Sequence, residues 1–187
     1  MNSNLKQHLI LGGARSGKSR YAEQLARHYE AEGQTVFYFA TAQTHYQDEK
    51  GQSQLDIEMQ QRIEHHQSQR PAHWQTIEAP VQLAEAIQQY DAPNHCLLVD
   101  CLTLWTLNLL HAEQLAQARQ QLLKTLPKLQ GTLILVSNEV GLGVVPLGEL
   151  SRQFVDELGW LHQKLAEQLP QVTFMIAGQP LTLKDTL

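Results

Sequence analysis

The residues that most narrowly define a chemistry are Gly12-Gly13-Ala14-Arg15-Ser16-Gly17-Lys18-Ser19, which fit the phosphate-binding pattern G-x-x-x-x-G-K-[ST] without a mismatch. In such a loop the glycines let successive backbone N–H groups curl around a polyphosphate. The following helix adds the positive end of its dipole, and Lys18 supplies a point charge. Ser19 is placed to set its hydroxyl on a Mg²⁺ ion. An apolar run, His8-Leu9-Ile10-Leu11, leads into the motif, and an amphipathic segment, Tyr21–Glu32, leads out of it. That strand–loop–helix order separates a phosphate site from a glycine-rich turn before an ordinary helix, so the sequence points to a bound nucleoside triphosphate.

Further along, Asp100 closes the apolar run Cys96-Leu97-Leu98-Val99. An acid in that place helps hold Mg²⁺ in phosphate-loop enzymes; the alternative is a helix N-cap or turn residue. Glu78 also ends a candidate strand, and alone it reads no better than a solvated acid. More unusual is Arg62-Ile63-Glu64-His65-His66-Gln67-Ser68-Gln69-Arg70-Pro71. Leu55, Met59, Ile63 and His66 fall on one helical stripe, and His65 points about 100° away from His66. If the stripe docks on the body of the protein, His66 faces inward and His65 faces solvent. A lone histidine on an apolar face is commonly a satisfied core residue. Arg62 and Arg70 shift the balance, because guanidinium groups around an imidazole suit an anionic triphosphate. His45, His65, His66 and His73 lie close in sequence, without regular zinc-ligand spacing or a cysteine partner. The glycines of Gly141-Leu142-Gly143-Val144-Val145-Pro146 suit either a close backbone approach to a ligand or subunit, or a simple turn.

The elements that must position these residues alternate between two periodicities. Thr35–Ala40 is β-branched and aromatic and reads as a strand. Thr41–Gln54 is polar and is expected to be a loop beside the nucleotide, followed by a short helix from about Leu55 to His66. His73–Glu78 reads as a short strand, and Pro80 as the first turn of a helix reaching Tyr90, with Val81, Ala84 and Ile87 inward. Cys96–Asp100 and Thr132–Val136 have the continuous apolar character of buried parallel strands. Helical stretches Leu102–Leu110 and Glu113–Leu126 separate them. A long helix, Glu149–Leu169, carries Leu150, Phe154, Leu158, Leu161, Leu165 and Leu169 on one stripe, and Val172–Ala177 is expected to be the last strand. Strands alternating with helices predict an α/β domain of phosphate-loop NTPase type, its mainly parallel sheet covered by helices on both faces. Ligands sit at the carboxyl ends of strands in such sheets, so Lys18, Thr41, Asp100 and Asn138-Glu139 should converge on one edge.

Composition narrows the classes. At 187 residues the chain reads as one domain, 1–187, large enough for a proper core. A net charge of −5 offers no broad basic surface for nucleic acid. No apolar stretch approaches the ~20 residues of a membrane span, and Met1–Lys6 lacks the apolar core of a signal peptide. Cys96 and Cys101 match no metal or redox spacing and read as reduced, buried thiols, as in a cytoplasmic protein.

Several blocks together resemble the adenosylcobinamide kinase / adenosylcobinamide-phosphate guanylyltransferase family of cobalamin biosynthesis. They are Gly12–Ser19, Phe39-Ala40-Thr41-Ala42, Glu58-Met59 through Arg62-Ile63-x-x-His66 to Arg70-Pro71, Trp74-x-Thr76-x-Glu78, Leu98–Thr103 and Ser137–Pro146. The similarity runs through nearly the whole chain in order, and the last block and the Arg-Ile-x-x-His element are far more specific than the phosphate loop. The stretch Thr44–Ile57 departs from the family as a longer connection into the histidine helix.

The resemblance implies two activities. The hydroxyl of the aminopropanol arm of adenosylcobinamide is phosphorylated by ATP or GTP. GMP then passes from GTP to that phosphate through a guanylylated histidine, giving adenosylcobinamide-GDP and pyrophosphate. By position the covalent histidine is His66, with His65 the runner-up, and Lys18 assists catalysis. The phosphate loop, Thr41, Gln67, Ser68, Gln69, Arg70, Glu78 and Asp100 would form the nucleotide site, with Mg²⁺ held by Ser19 and Asp100. The resemblance also implies a homo-oligomer, a trimer, acting on a small-molecule corrinoid. Two rivals are a plain small-molecule kinase and a nucleotide-switched binding protein.

Overall fold

In the computed structural model, which describes residues 6–43, 45–47 and 53–186, the apolar runs become strands buried on both sides. The strands are β1 (Gln7–Gly12), β2 (Thr35–Ala40), β3 (His45–Gln47), β4 (Ser53–Leu55), β5 (Gln75–Glu78), β6 (His95–Asp100), β7 (Thr132–Asn138), β8 (Gln171–Ile176) and β9 (Gln179–Asp185). The helices are α1 (Lys18–Ala31), α2 (Ile57–Gln69), α3 (Leu83–Tyr90), α4 (Leu102–His111), α5 (Leu115–Thr125) and α6 (Glu149–Gln168). Seven strands form one sheet in the order β5-β2-β6-β7-β1-β8-β9, parallel throughout except at the β8–β9 edge.

Because side chains alternate across a strand, each central strand feeds two cores. Leu9, Leu11, Phe39, Leu97, Val99, Leu133 and Leu135 meet α3–α6 on one face. Ile10, Val36, Tyr38, Leu98, Ile134 and Val136 meet Ala22, Ala26 and Tyr29 of α1 and Trp74 on the other. The expected mainly parallel sheet with helices on both faces is the observed one. Both cysteines are free and buried. Burial pushes the Cys96 thiol to about 12 and the Cys101 thiol to about 11, which leaves them protonated and unreactive.

Four expectations need correction. The polar stretch after Thr41 contains an antiparallel hairpin, β3–β4, and Leu55 belongs to it rather than to α2. The third helix begins at Leu83, not at Pro80; the Pro80 carbonyl instead accepts the Asn108 side-chain amide at 2.9 Å, which holds it outside the helix. Leu150 is 51% exposed, since the first turn of α6 runs past the packed part of its stripe, which is buried from Leu158 onward. Finally, Val172–Ala177 is not the last strand. The chain reverses through Ala177 (φ 51°) and Gly178 (φ 76°) into β9. Positive φ at both central residues is what a tight hairpin needs, and Ala-Gly conceals it where Asn-Gly would have announced it.

The β8–β9 turn touches the phosphate loop. Gly178 N–H donates to Ser16 O at 3.0 Å, and a Cβ on Gly17 would stand 3.2 Å from Gly178 Cα. At the start of β1, His8 is buried with Nε2 2.6 Å from the Tyr29 hydroxyl near the end of α1. Burial, with the Lys6 charge adding and Asp185 opposing, lowers the His8 pKa from 6.5 to about 4. Burial also raises the Tyr29 phenol to about 12, so Tyr29 stays protonated and donates to a neutral imidazole.

Two outcomes follow from these contacts. Gly178→Val, which forces a β-branched residue into positive φ, should weaken GTP binding about tenfold without touching the motif, by ~1.4 kcal/mol; equilibrium titration checks this, and an affinity within about twofold of wild type would mean that the turn does not brace the loop. Between pH 6.5 and 4 the unfolded chain binds a proton at residue 8 that the folded chain refuses, so stability is full above that window and falls as pH drops through it. Urea unfolding at pH 7 and pH 4 should show a loss of up to about 3 kcal/mol from this group, and His8→Gln should flatten that dependence.

Candidate active site

At Gly12 and Gly17 the phosphate loop adopts backbone conformations that side chains would strain. Gly12 has φ +157°, and a Cβ there would stand 2.6 Å from Met175 O. Gly17, at φ +95°, precedes α1 without any side-chain cap, so the helix N-terminus keeps its N–H groups for a ligand. Ala14 and Arg15 are exposed at the tip, Arg15 with φ 56°. Lys18 is 8% exposed and donates from Nζ to Gly13 O at 3.0 Å, across the hollow of the loop. Burial lowers the Lys18 ammonium from its ordinary value, while Asp100 pulls the other way. Ser16 Oγ is buried without a hydrogen-bond partner among the described residues.

The sheet brings the other expected residues to the same edge. Ala40 is in register with Asp100 and with Glu78, and Gly12 with Asn138. Thr41 is fully buried: its hydroxyl donates to Cys101 O at 2.7 Å and accepts the Cys101 N–H at 2.9 Å. It therefore braces the turn that follows Asp100. Asp100 accepts the Tyr38 hydroxyl on Oδ2 at 3.2 Å, leaving its other oxygen for a ligand. Burial, then the Asp100 charge, raises the Tyr38 phenol far above its usual range and keeps it a donor. The Arg70 guanidinium lies 3.6 Å over the centre of the Tyr38 ring, a cation–π contact that joins the turn after α2 to the Asp100 edge. Gln67, Arg70, Pro71, Ala72, Trp74 and Thr76 line a cavity of about 160 Å³ there. Glu78 is exposed at the end of the sheet's edge strand.

Ser68 lies exposed on α2, as does Gln67. The side chains of Met59, Arg62, His65, His66 and Gln69 lie outside the described residues, as does Thr44; the backbone places both histidines in the last two turns of α2. A wider groove of about 700 Å³, lined by Trp160, Arg119 and Lys164 among others, lies between α5 and α6 and holds none of the expected site residues. A Cβ on Gly143 would meet nothing within 4 Å, and Gly141 N–H donates to Glu139 Oε1 at 2.6 Å, so within the chain no close backbone approach requires glycine at 143.

Sequence reading missed Tyr38, which looks like any aromatic strand residue, and a polar chain on the opposite face of the sheet. There Thr103, Ser137 and His162 are buried, with His162 Nε2 2.7 Å from Ser137 Oγ and Ser137 Oγ 3.2 Å from Thr103 Oγ1. The signal for His162 was present: it follows Leu158 by four on the apolar stripe of α6.

The Asp100 carboxylate, with the Ser19 hydroxyl at the start of α1, supplies oxygen donors of the kind that suit Mg²⁺, which is usually bound through one or two carboxylates and substrate phosphates. Among the described residues no group of three or more His, Cys, Asp or Glu could hold a metal by itself, so phosphate oxygens would have to complete such a site.

The chain is also similar to known proteins. Residues 8–183 match the family described as cobinamide kinase / cobinamide phosphate guanyltransferase. The chain is 53% identical to the bifunctional adenosylcobalamin biosynthesis protein CobP of Pseudomonas aeruginosa, over 94% of this chain and 96% of that protein. It is 36% identical to the corresponding CobU protein of Escherichia coli, over 94% and 98%. Among solved structures, one ATPase domain superposes with a TM-score of 0.52 at 15% identity, covering 92% of this chain and 70% of that one, a likeness of fold alone. No helix among the described residues is long and apolar enough to cross a membrane. The phosphate loop, the Asp100 edge and the histidine helix thus occur together in a chain that belongs to the cobinamide kinase / cobinamide phosphate guanyltransferase family.

Proposed function

We propose that this chain phosphorylates the hydroxyl of the aminopropanol arm of adenosylcobinamide with ATP or GTP, and then transfers GMP from GTP to that phosphate through a guanylylated histidine. The products of the second reaction are adenosylcobinamide-GDP and pyrophosphate. The observation that carries this reading is the Arg70–Tyr38–Asp100 chain, which ties the end of the histidine helix to the phosphate-loop edge of the sheet. That contact supports assigning a histidine of α2 to the same site as the triphosphate.

In the guanylylation step a neutral imidazole nitrogen of His66 attacks the α-phosphorus, an N–P bond forms, and the bond to pyrophosphate breaks. His65 is the alternative nucleophile. Lys18 and the N–H groups at the start of α1 neutralise charge on the phosphates, and Arg70, Gln67, Ser68, Gln69 and Glu78 complete the nucleotide site. Thr41, expected there too, is fully buried with its hydroxyl taken up by the Cys101 backbone, so it positions the Asp100 turn rather than touching nucleotide. Ser19 and Asp100 would hold Mg²⁺, whose chemistry there is to offset phosphate charge. The trimer belongs to the same proposal, because Leu142, Val144, Val145 and Leu147 are 80%, 96%, 71% and 97% exposed, an apolar loop that a neighbouring subunit would cover. Cytoplasmic localisation, consistent with two free cysteines, completes it.

GTP labelled at the α-phosphate, mixed with the protein and Mg²⁺ in the absence of corrinoid, should leave acid-labile, alkali-stable label on the wild type and on His65→Ala but not on His66→Ala. Loss only in His65→Ala would move the nucleophile by one residue, and an unlabelled wild type would remove the covalent route. Sedimentation equilibrium of the full chain should give three times the monomer mass of 21.2 kDa.

A further inference from the structure

Phosphoryl transfer to a hydroxyl leaves a proton to be taken up. The residues assigned so far do not take it. Asp100 is engaged by Tyr38 and assigned to Mg²⁺, and Glu78 stands four strands from β1, about 19 Å away at the usual strand spacing. Glu139 is different. Its N–H donates to Gly12 O at 2.9 Å, which extends the β7–β1 ladder and sets Glu139 one strand, about 4.8 Å, from the start of the phosphate loop.

The Glu139 carboxylate is held from two sides. Oε1 accepts the Gly141 N–H at 2.6 Å, and Oε2 lies 3.7 Å from His162 Nδ1. His162 is 6% exposed, and its Nδ1 has no hydrogen-bond partner among the described residues. Behind the ring the backbone sets the direction of a polar chain. The Asn138 N–H donates to Thr103 Oγ1 at 2.7 Å, Thr103 Oγ1 lies 3.2 Å from Ser137 Oγ, and Ser137 Oγ lies 2.7 Å from His162 Nε2. A carboxylate facing Nδ1 favours the tautomer that carries its proton there, with Nε2 accepting from Ser137. Burial lowers the His162 pKa, with Glu139 opposing, which keeps the ring neutral near pH 7. At 3.7 Å the Nδ1–carboxylate contact is longer than a hydrogen bond, and such contacts in ligand-free sites tighten when substrate closes on them. The Glu139 side chain is 22% exposed, against 7% for His162, so one of the two reaches solvent and the other supports it from inside.

We propose that Glu139 is the general base of the kinase half-reaction and that His162 is the positioning residue that aims its carboxylate. As the acceptor oxygen forms its bond to the γ-phosphorus, its O–H proton passes to Glu139, the bond from the γ-phosphorus to the bridging oxygen breaks, and the nucleoside diphosphate leaves. Guanylyl transfer has no such need, because a neutral imidazole and then a phosphate oxygen are the nucleophiles. Glu139 therefore serves one of the two activities. The inference rests on the kinase part of the proposed function.

The test measures phosphorylation of adenosylcobinamide by ATP and self-guanylylation by α-labelled GTP on the same preparations of full chain. Glu139→Gln should lower kcat for phosphorylation about 100-fold with KM for both substrates within about twofold. The guanylylation rate should change by no more than about twofold. His162→Gln, which keeps the Ser137 contact and loses the donor to Glu139, should lower the same kcat about tenfold. His162→Asn, which can present an amide N–H in place of Nδ1, should recover most of it. Equal losses in both half-reactions would assign Glu139 a structural role, and a phosphorylation kcat within about threefold of wild type in Glu139→Gln would overturn the proposal outright. A wild type that phosphorylates without self-labelling would remove only the histidine route, and GTP affinity would then serve as the control for folding. A wild type inactive as a kinase on adenosylcobinamide would overturn the underlying function instead.

Discussion

The parallel ladder between β1 and β7 is the constraint on which the site depends. Gly12 lies opposite Asn138, and the next bond, from Glu139 N–H to Gly12 O, carries the pairing past the end of both strands. That bond holds the first glycine of the phosphate loop while the loop itself turns away. A slip of one residue in β7 would turn Ser137 from the α6 side to the α1 side, because side chains alternate along a strand. Ser137 would then lose His162, and the β7 exit would lose its alignment with Gly12. The ladder is held in turn by two close-packed cores, with Leu9 and Leu135 on one face and Ile10 and Val136 on the other.

Each face of the sheet sends one polar chain to the same edge. On the α1 side, Arg70 stacks on Tyr38 and Tyr38 bonds to Asp100. On the α4–α6 side, Thr103, Ser137 and His162 lead to Glu139. Buried polar groups are costly unless satisfied, and a hydroxyl left without its partner in either chain would cost about 1–3 kcal/mol. Both chains satisfy their members largely among themselves and leave a carboxylate at the outer end. Thr41 does the same for backbone, taking up both polar groups of Cys101. The rigid part of the molecule thus ends in two oriented acids beside a cationic loop, an arrangement suited to chemistry on phosphates.

How much of this was legible in the sequence depended on the range of the interaction. The phosphate loop is a local motif, since glycine conformations and a Lys-Ser helix start are properties of eight adjacent residues. Asp100 was legible because a buried strand must stop at its first charge. The contacts of Tyr38 and His162 were not, although the inward position of His162 on its helix was, because each has a partner 62 or 25 residues away, and only the packing of strands and helices brings the partners within reach. Pro80 was misplaced for a similar reason: its carbonyl is taken by Asn108, 28 residues later, and a local rule for helix starts cannot see that.

The sequence by itself determined the class of fold, the alternation of its main strands and helices, the phosphate loop and, through its motif blocks, the family to which the chain belongs. These rest on periodicity and on contiguous residues, which act through short-range sterics and the pattern of burial. The tertiary structure alone decided that the β8–β9 turn braces the loop through Gly178, that Tyr38 links Arg70 to Asp100, and that His162 stands behind Glu139. These depend on register and on which helix covers which face. Register is fixed by the fit of whole strands and cores to one another, and no single stretch of residues contains that information.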